Sequence, residues 1–344
     1  MTIVFLNTII PLVLRRWLKI KNKILAILEE HKGSHVSGSY LGDALGVSRS
    51  AIWKSIKSLK DEGYNISSKT NKGYILSRDT DVLSLTKIKK NLNTQFLGKD
   101  VQYFKTITST NKVLRDLAHE GAKEGLVLIA EQQTAGRGRN KKSFYSPNKN
   151  GIYMSLLLKP NIAVSNINLI TFITAVCVAE AIEKVCGISL EIKWVNDLLY
   201  QYKKVCGILT EASIEGESGI VDFLVVGIGI NIDNTLNFPE EFKHNSIALK
   251  QIKQGFSQSR LVAEILNVFE KQYNYYLQSG DVNDILVRYR ERLCVIGKKI
   301  EVITRQDNYL AEVIKFNNAG QLIVKKSSNG DIVNLVSGEI SIKL

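Results

Sequence analysis

The chain has 344 residues, of which 44% are hydrophobic and 23% are charged. That length can form two or three domains, each with its own core, and the balanced composition argues against a disordered protein. The formal net charge of +13 favours polyanionic partners, either nucleic acid or nucleotides. The Cys and His residues follow no metal-ligand or disulfide spacing, so we expect no structural metal and a reducing, cytoplasmic location.

Residues 1–19 begin with an apolar run that is interrupted by Asn7, Thr8 and Pro11 and ends at Arg15. The run is shorter than the ~20 residues that a transmembrane helix needs. Its positive charges follow the apolar stretch, whereas a secretory signal carries them in front. We interpret the segment as an extension of unknown role and expect no membrane partner; an interfacial anchor and a mis-assigned start are the alternatives.

Residues 20–80 predict a small basic domain. Residues 1–80 contain 13 Lys and Arg against 6 Asp and Glu, which is over half of the net charge. Apolar residues recur at helical spacing from Ile20 to Leu28, a short second helix ends at Gly46, and Ser48 can cap a third helix. In the stretch YNISSKTNKGYIL, apolar and polar residues then alternate as in two short strands around Asn71. Together these signals predict a winged helix-turn-helix.

The third helix of this domain has the pattern of a DNA-recognition helix. Ile52, Ile56 and Leu59 line one face. Polar, basic and aromatic side chains lie on the opposite face and on the predicted wing, and we expect them to contact DNA: Ser48, Arg49, Ser50, Trp53, Lys54, Lys57, Lys69 and Lys72. The alternative is a three-helix protein-interaction module whose charges are only solvated.

The rest of the chain predicts an α+β multidomain protein. Residues 81–100 have mixed charge and little periodicity, which indicates a linker. Residues 101–290 predict a mixed α/β domain with strands at 126–131, 152–158, 190–195, 204–210 and 221–232, and helices at 111–119, 166–185 and 259–277. Residues 291–344 contain only short β segments separated by turns, which predicts a small SH3-like β-barrel.

The segment EQQTAGRGRNKKSFYSP, residues 131–147 and hereafter the basic loop, combines cations with pliable glycines. Gly136 and Gly138 let a ligand approach the backbone closely. The cations can neutralise an anion and donate hydrogen bonds to it: Arg137, Arg139, Lys141 and Lys142. We predict that an anion binds and orders this loop. A solvated loop and an RG tract that binds nucleic acid are the alternatives that these residues leave open.

Two further stretches carry unusual residues. KWVNDLLYQYKKVCGIL predicts a hairpin that returns Lys204 beside Asn196 and Asp197. In VVGIGIN, Gly227 and Gly229 clear one face of a strand, so that something flat or bulky can lie against it. A tightly packed strand under a helix is the alternative interpretation of the second stretch.

The motifs TSTN, EQQTAGRGR, KWVND with Lys204 and GIL following, and GIGIN occur in the order and at the separations found in biotin–protein ligases. The chain resembles that family over residues 20–344, and its winged helix resembles the bifunctional members that also repress the biotin operon. The resemblance implies an enzyme that condenses biotin with ATP to biotinyl-5′-adenylate and passes the biotinyl group to a lysine of a carboxylase's carrier domain. We expect Mg²⁺ to enter with ATP, and a carrier domain of the acetyl-CoA carboxylase type, operator DNA and a ligand-dependent homodimer as partners.

The resemblance also implies roles for individual residues. Lys204, Arg137 and Arg139 are expected to be catalytic, and Lys204 to donate to the biotin carboxylate. The implied biotin-binding set is Ser109, Thr110, Asn111, Gln133, Gly136, Arg137, Gly138, Arg139 and Lys204. The implied ATP-binding set is Arg139, Phe144, Lys193, Asn196, Asp197 and Asn231. Asp197 is further expected to attract the acceptor lysine or to help remove its proton.

Two residues depart from the family's pattern. Val195 replaces the usual Pro of the KWPND motif and adds a backbone N–H. Phe144 stands where Trp is common, so it offers adenine a smaller ring. Other functions remain open at this stage: a transcription factor that uses biotin only as a corepressor, a lipoate–protein ligase with the same reaction type and a related fold, and an RNA-binding protein that uses the RG segment.

Overall fold

The computed structural model describes residues 12–61, 63–70, 72–77, 81–214, 216, 219–236, 238–304, 308–336 and 338–342, with side chains from residue 20 onward. The chain divides into two compact units, Met1–Leu83 and Ser84–Leu344. Most of the predicted extension, residues 1–19, lies outside the described part. Within the described ranges, no helix has both the length and the apolar character that crossing a bilayer requires.

The first unit contains three helices and a three-stranded sheet: α1 (Leu12–Glu30), β1 (His35–Val36), α2 (Gly38–Leu45), α3 (Arg49–Asp61), β2 (Ile66–Lys69) and β3 (Gly73–Leu76). The strands are antiparallel in the order β1-β3-β2. The helix-turn-helix predicted from the sequence is confirmed, and strands β2 and β3 form its wing. Asn71, at the predicted turn, lies outside the described residues.

Local sequence signals set the helix boundaries of this unit. Gly46 ends α2 with a left-handed φ of 62°, which glycine adopts without a Cβ penalty. At the start of α2 the Ser37 hydroxyl accepts from the Tyr40 N–H at 3.0 Å, and at the start of α3 the Ser48 hydroxyl accepts from the Ala51 N–H at 3.3 Å. The buried core takes side chains from all three helices, as predicted for α3: Ile24, Leu28, Leu41, Ile52, Ile56 and Leu59.

The second unit runs through α4 (Leu85–Asn91), β4 (Val101–Phe104), α5 (Thr110–His119), β5 (Val127–Ala130), β6 (Gly151–Leu158), α6 (Ile167–Cys186), β7 (Glu191–Lys193), β8 (Asp197–Tyr200), β9 (Lys203–Ile214), β10 (Val221–Asn231), α7 (Glu240–Lys243), α8 (Leu249–Ile252), α9 (Gln258–Ser279) and α10 (Asn283–Glu291). It ends with β11 (Lys299–Ile303), β12 (Asn308–Phe316), β13 (Leu322–Lys326), β14 (Ile332–Leu335) and β15 (Glu339–Ile342). Short 3-10 turns occupy Arg139–Lys141 and Val164–Asn166.

A seven-stranded sheet organises the second unit, in the order β4-β5-β6-β10-β9-β8-β7. Strands β4 and β5 are parallel, and the other pairs are antiparallel. Helix α6 contacts β9 through hydroxyl groups of Thr171 and Thr210 that lie 2.8 Å apart, whereas α5 contacts the next residue, Glu211, through Asn111. Successive residues of a strand point to opposite faces, so α5 and α6 cover the two faces of the sheet. The mixed α/β domain predicted from the sequence is confirmed.

Residues 81–100, predicted to be a linker, contain a helix and fold onto the second unit. Helix α4 packs against α9. The buried carboxylate of Glu270 on α9 accepts backbone N–H bonds from Gln95, from Phe96 at 3.0 Å and from Leu97 at 2.7 Å. Glu270 lies 173 to 175 residues further along the chain than these N–H groups. The local pattern of the segment therefore did not reveal the anchor.

The C-terminal strands form a five-stranded antiparallel sheet in the order β14-β13-β12-β11-β15. Among the described residues β14 and β15 are its edges, so this is an open sheet, and the closed SH3-like barrel predicted from the sequence is not confirmed. The sheet packs on the rest of the second unit: the Phe316 ring lies 5.7 Å from that of Phe172 and 5.1 Å from that of Tyr289.

We expect Glu270→Ala to lower the free energy of unfolding of the second unit by about 3 kcal/mol, because buried N–H groups lose a charged acceptor. Urea denaturation followed by tryptophan fluorescence measures the change. The control is Glu264→Ala on the same helix, which accepts no backbone N–H in its ion pair with the exposed Lys184 and should lower the free energy of unfolding by only about 1 kcal/mol. Equal losses in the two variants would contradict the anchoring role of Glu270.

Candidate active site and candidate DNA-binding face

One pocket of the second unit lies where the start of α5, the basic loop and strands β6, β9 and β10 meet. Small and apolar parts of the strands form its floor, and polar side chains converge on it from α5 and the loop. Most of the residues predicted for the site line this pocket: Ser109, Thr110, Asn111, Gln133, Arg137, Gly138, Arg139, Phe144, Asn196 and Lys204.

Four side chains, Thr110, Asn111, Gln133 and Ser155, form a polar cluster at the wall of the pocket. The Thr110 backbone N–H and hydroxyl donate to the Gln133 Oε1 at 2.8 and 3.1 Å. The Ser155 Oγ lies 2.7 Å from the Thr110 Oγ1 and 2.6 Å from the Asn111 Oδ1. Ser155 is fully buried in the middle of β6, so its hydroxyl must find partners within this cluster.

The four side-chain oxygens of the polar cluster have fewer protons than contacts between them, because the NH₂ groups of Asn111 and Gln133 donate elsewhere, to Leu209, Glu211 and Ser146. Ser155 and Thr110 contribute one hydroxyl proton each, and the amide oxygens of Asn111 and Gln133 contribute none. Two protons are therefore shared among three oxygen–oxygen contacts. An N–H donor complements such a cluster, whereas a ligand without donors leaves one acceptor unmatched.

Two glycines of β10 make room for this arrangement. A Cβ on Gly227 would lie 2.2 Å from the Asn111 Oδ1, and a Cβ on Gly229 would lie 2.5 Å from the Phe144 ring. The sequence predicted that something bulky lies against these glycines. The structure shows that the chain itself supplies it, as the amide of Asn111 and the ring of Phe144. That ring packs edge-on against Tyr153, with ring centroids 6.4 Å apart.

Lys204 is held at the edge of the pocket by the β8–β9 hairpin. Its Nζ lies 2.6 Å from the Asp197 Oδ1, and 5.7 Å from the centroid of the Phe144 ring. The Asn231 Nδ2 donates to the Lys204 carbonyl at 3.1 Å and fixes the backbone at this point. The hairpin therefore places Lys204 beside Asp197, as predicted.

Arg139 connects the basic loop to two other parts of the second unit. Its Nη1 donates to the Asn196 Oδ1 at 3.3 Å and to the Gly338 carbonyl at 3.0 Å. Burial lowers the pKa of the Arg139 guanidinium below its ordinary value, and the carboxylates of Asp197 and Glu339 act against this effect. The geometry keeps a partly buried cation at the lining of the pocket.

The basic loop is held by further contacts in this structure. The Phe144 N–H donates to the Gly136 carbonyl at 3.0 Å, and the Gly138 N–H donates to the Lys142 carbonyl at 2.7 Å. Lys142 also forms an ion pair with Glu339 on β15. Although partial burial acts to raise it, the hydrogen bond and charge of Lys142 lower the pKa of Glu339.

Comparison with known proteins agrees with this geometry. Residues 103–231 match the biotin/lipoate A/B protein ligase family, and residues 21–75 match an HTH domain. The chain is 32% identical over 325 residues to the bifunctional ligase/repressor BirA of Bacillus subtilis, covering 94% of this chain and 98% of that protein. The chain belongs to the family of bifunctional biotin–protein ligases and repressors.

Other relatives extend the comparison. The Escherichia coli bifunctional ligase/repressor BirA is 29% identical over 327 residues, covering 93% of this chain and 96% of that protein. A solved biotin protein ligase from Aquifex aeolicus, in complex with biotin and ATP, superposes with a TM-score of 0.61 at 24% identity. The superposed region covers 71% of this chain and 99% of the Aquifex chain, so the comparison confirms the fold of the ligase unit.

Some residues predicted for the ligase site lie beside the pocket and do not line it: Gly136, Lys193, Asp197 and Asn231. Asn231 is buried, and its Nδ2 donates to the Lys204 and Ile247 carbonyls. A contact of Asn231 with ATP therefore stays a prediction. Sequence reasoning missed Tyr153 and Met154, because apolar residues inside a strand carry no chemical signal. It included four other pocket residues in the GIL and GIGIN motifs without assigning them a role: Gly207, Ile208, Leu209 and Ile228.

The departure at Val195 leaves the motif around it intact. The Trp194–Val195 peptide bond is cis, and the buried Tyr289 hydroxyl donates to the Val195 carbonyl at 3.0 Å. The next residue, Asn196, donates through its amide to the Ile208 carbonyl at 2.7 Å. The side chains of Asn196 and Asp197 therefore still reach the edge of the pocket.

In the first unit, the residues predicted to contact DNA are all exposed on α3 and the wing: Ser48, Arg49, Ser50, Trp53, Lys54, Lys57, Lys69 and Lys72. The Trp53 side chain is 56% exposed, and the Lys57 Nζ lies 5.5 Å from the centroid of its ring. An exposed aromatic ring among cations on a helix opposite a buried face is suited to the groove of a nucleic acid duplex.

We expect Gly227→Ala to weaken biotin binding at least tenfold, because the amide of Asn111 is held by hydrogen bonds on both sides and cannot withdraw from a new Cβ. Isothermal titration calorimetry with biotin measures the dissociation constant. The control is Gly38→Ala in the first unit, where a Cβ meets its nearest neighbour at an ordinary 3.8 Å. An unchanged dissociation constant in Gly227→Ala would show that Gly227 does not shape the biotin site.

Proposed function

We propose that the pocket binds biotin with its ring system against the polar cluster and its carboxylate toward Lys204 and the basic loop. The observation that carries this proposal is the proton count of the cluster. Biotin is a cyclic urea with N–H donors, which match the acceptor excess of Thr110, Asn111, Gln133 and Ser155. The dithiolane ring of lipoate has no N–H group, so the same cluster would leave an acceptor unmatched.

In the first reaction, an oxygen of the biotin carboxylate attacks the α-phosphorus of ATP. A mixed anhydride forms, the bond to the β-phosphate oxygen breaks, and pyrophosphate leaves. Two anions must approach each other, so positive charge that is fixed in advance lowers the barrier. Lys204 neutralises the carboxylate and the developing charge on the ester oxygen. Arg137 closes over biotin and its adenylate with the basic loop, and Arg139 contacts the phosphates. The ring of Phe144 stacks on adenine.

In the second reaction, the neutral amine of the acceptor lysine attacks the acyl carbon of biotinyl-5′-adenylate. An amide forms, AMP leaves, and the amine loses its proton. Asp197 lies beside Lys204 at the edge of the pocket, and we assign it to attract the acceptor ammonium or to take its proton. The acceptor is a biotin carboxyl carrier domain of the acetyl-CoA carboxylase type.

The phosphates of ATP, with several waters, would hold Mg²⁺, which would neutralise part of their charge. The carboxylates nearest to the pocket are already paired with cations: Asp197 with Lys204, Glu339 with Lys142 and Glu211 with Arg115. None of these three is offered as a dedicated metal ligand, so the residues fit a metal carried by the nucleotide. We assign the enzyme to the cytoplasm, a reducing compartment in which its four buried cysteines stay free thiols.

The winged helix of the first unit binds operator DNA, and the adenylate acts as the signal. Ordering of the basic loop by its ligand favours a homodimer, and a dimer presents two recognition helices to a palindromic operator. This arrangement links the supply of biotin to transcription of the genes that provide it.

The decisive experiment is ATP-dependent transfer of biotin to a purified carrier domain by the native chain and by Lys204→Met. We expect the transfer rate to fall about a hundredfold or more, because the variant lacks the cation at the carboxylate. Lys203→Met is the matched control: Lys203 is the preceding residue of β9, points to the opposite face and is exposed. Its rate should stay within about twofold of the native chain.

The same assay separates the alternatives. A chain that binds biotin and labels no acceptor acts as a ligand-sensing repressor, and the ligase function is then wrong. A chain whose labelling of the acceptor is competed by lipoate as effectively as by unlabelled biotin contradicts the assignment of the polar cluster to a urea.

We expect Arg49→Ala to weaken operator binding and to lower the slope of log K against log salt by about one, since one phosphate contact is lost. Fluorescence anisotropy at several salt concentrations, with biotin and ATP present, measures the slope. Lys90→Ala, an exposed lysine on α4 of the ligase unit, is the control and should leave the slope unchanged. A native slope in Arg49→Ala would show that α3 does not contact the backbone of the operator at this position.

A further inference from the structure

We propose that Glu211 is a positioning residue of the biotin site: it orients the amide of Asn111 and thereby sets the direction in which the polar cluster donates its hydrogen bonds. The inference rests on the proposed ligase function and deepens it. Glu211 follows the GIL stretch on β9 and belongs to none of the motifs that predicted the site.

Glu211 connects two residues of α5 with one carboxylate. Its Oε2 accepts from the Asn111 Nδ2 at 2.8 Å, and its Oε1 lies 3.4 Å from the Arg115 Nη1. Asn111 and Arg115 are four residues apart, so they lie on the same face of the helix. The side chains of Arg115 and Glu211 are 33% and 23% exposed, which places the ion pair at the rim and Asn111 beneath it.

A carboxylate facing Asn111 permits only one orientation of the amide. An ionised carboxylate accepts hydrogen bonds and cannot donate them, so the NH₂ group of Asn111 must point toward Glu211. The same NH₂ group donates to the Leu209 carbonyl at 3.2 Å, another group that only accepts. The Oδ1 is then directed at Ser155, 2.6 Å away.

This orientation fixes the protons of the polar cluster. Because the Asn111 Oδ1 cannot donate, the hydroxyl of Ser155 must donate to it. Ser155 then has no proton left for Thr110, and the single hydroxyl proton of Thr110 serves either Ser155 or Gln133. Either choice leaves an oxygen of the cluster as an acceptor for a ligand N–H. Glu211 and the Leu209 carbonyl thus together orient the Asn111 amide, and this orientation gives the cluster the acceptor character that matches a urea.

The ion pair with Arg115 gives the carboxylate its position. Helix α5 carries one carboxylate of its own, Asp116, which has no such role: it pairs with Lys112 in a contact where both side chains are about half exposed. Asp116 therefore provides a matched control on the same helix.

The test is biotin-dependent exchange between ATP and pyrophosphate, catalysed by the full chain. For Glu211→Ala we expect the KM for biotin to rise about tenfold to a hundredfold, the usual effect of losing a charged hydrogen bond. The kcat and the KM for ATP should change by less than about threefold, because Glu211 touches neither the phosphates nor the reacting atoms. Glu211→Gln keeps an acceptor oxygen, so its KM for biotin should return to within about threefold of native. Asp116→Ala should match the native chain.

A double-mutant cycle tests whether Glu211 acts through Asn111. If it does, Glu211→Ala combined with Asn111→Ala has the same KM for biotin as Asn111→Ala alone, within about twofold. Effects that multiply would overturn the proposal, as would a native KM in Glu211→Ala, a fall in kcat alone, or a failure of Glu211→Gln to restore binding.

Two further outcomes have defined meanings. If circular dichroism shows that Glu211→Ala does not fold, Arg115→Met decides: the proposal then requires its KM for biotin to rise at least threefold at an unchanged KM for ATP, and a native value overturns it. If the native chain itself shows no exchange that depends on biotin, the proposed ligase function fails. If the native chain shows biotin-dependent exchange and the Glu211 variants have the native KM for biotin, only the positioning role is refuted.

Discussion

Positive charge concentrated in one cleft is the constraint on which the ligase unit depends. In the proposed function two anionic substrates meet there, and the cations that line the cleft repel one another. The chain solves this with partners that hold each cation in place. Lys204 lies 2.6 Å from Asp197, Arg139 donates to the Gly338 carbonyl, and Lys142 pairs with Glu339.

One of these partners is local in the sequence and two are distant, and together they explain the architecture around the pocket. Asp197 is brought to Lys204 by the β8–β9 hairpin. Gly338 and Glu339 lie at the start of β15, in a sheet that the basic loop reaches through Arg139 and Lys142. The C-terminal sheet thus contributes directly to the arrangement of the site. Burial lowers the pKa of Arg139, and the carboxylates of Asp197 and Glu339 oppose this, so its charge is maintained where it is needed.

The sequence predicted the parts of the molecule in which local pattern and final position coincide. The buried face of α3, the stop at Gly46 and the return of Lys204 beside Asp197 are all confirmed, because helical period, glycine conformation and hairpin geometry act over short distances. The anchor from Glu270 to residues 95–97 was missed because its two halves are far apart along the chain. Ser155 was missed because it is one polar residue inside an otherwise apolar strand.

The glycines of β10 show how a motif can be identified while its structural meaning stays open. The sequence indicated that Gly227 and Gly229 clear space, and the structure shows that Asn111 and Phe144 occupy it. Gly227 lets the amide of Asn111 reach the polar cluster, and Gly229 gives the ring of Phe144 a flat support beside Lys204. The positions of the Asn111 amide and of the Phe144 ring therefore depend on two glycines of one strand.

The central claim is that this pocket joins biotin to AMP, and the product itself tests that claim most directly. The purified chain is incubated with biotin and ATP labelled at the α-phosphate, without any carrier, and the protein is separated from free nucleotide by gel filtration. The account predicts that the label elutes with the protein as biotinyl-5′-AMP and that an equal amount of pyrophosphate is released. Label that elutes only as free nucleotide, or binding of label that is independent of biotin, would contradict it.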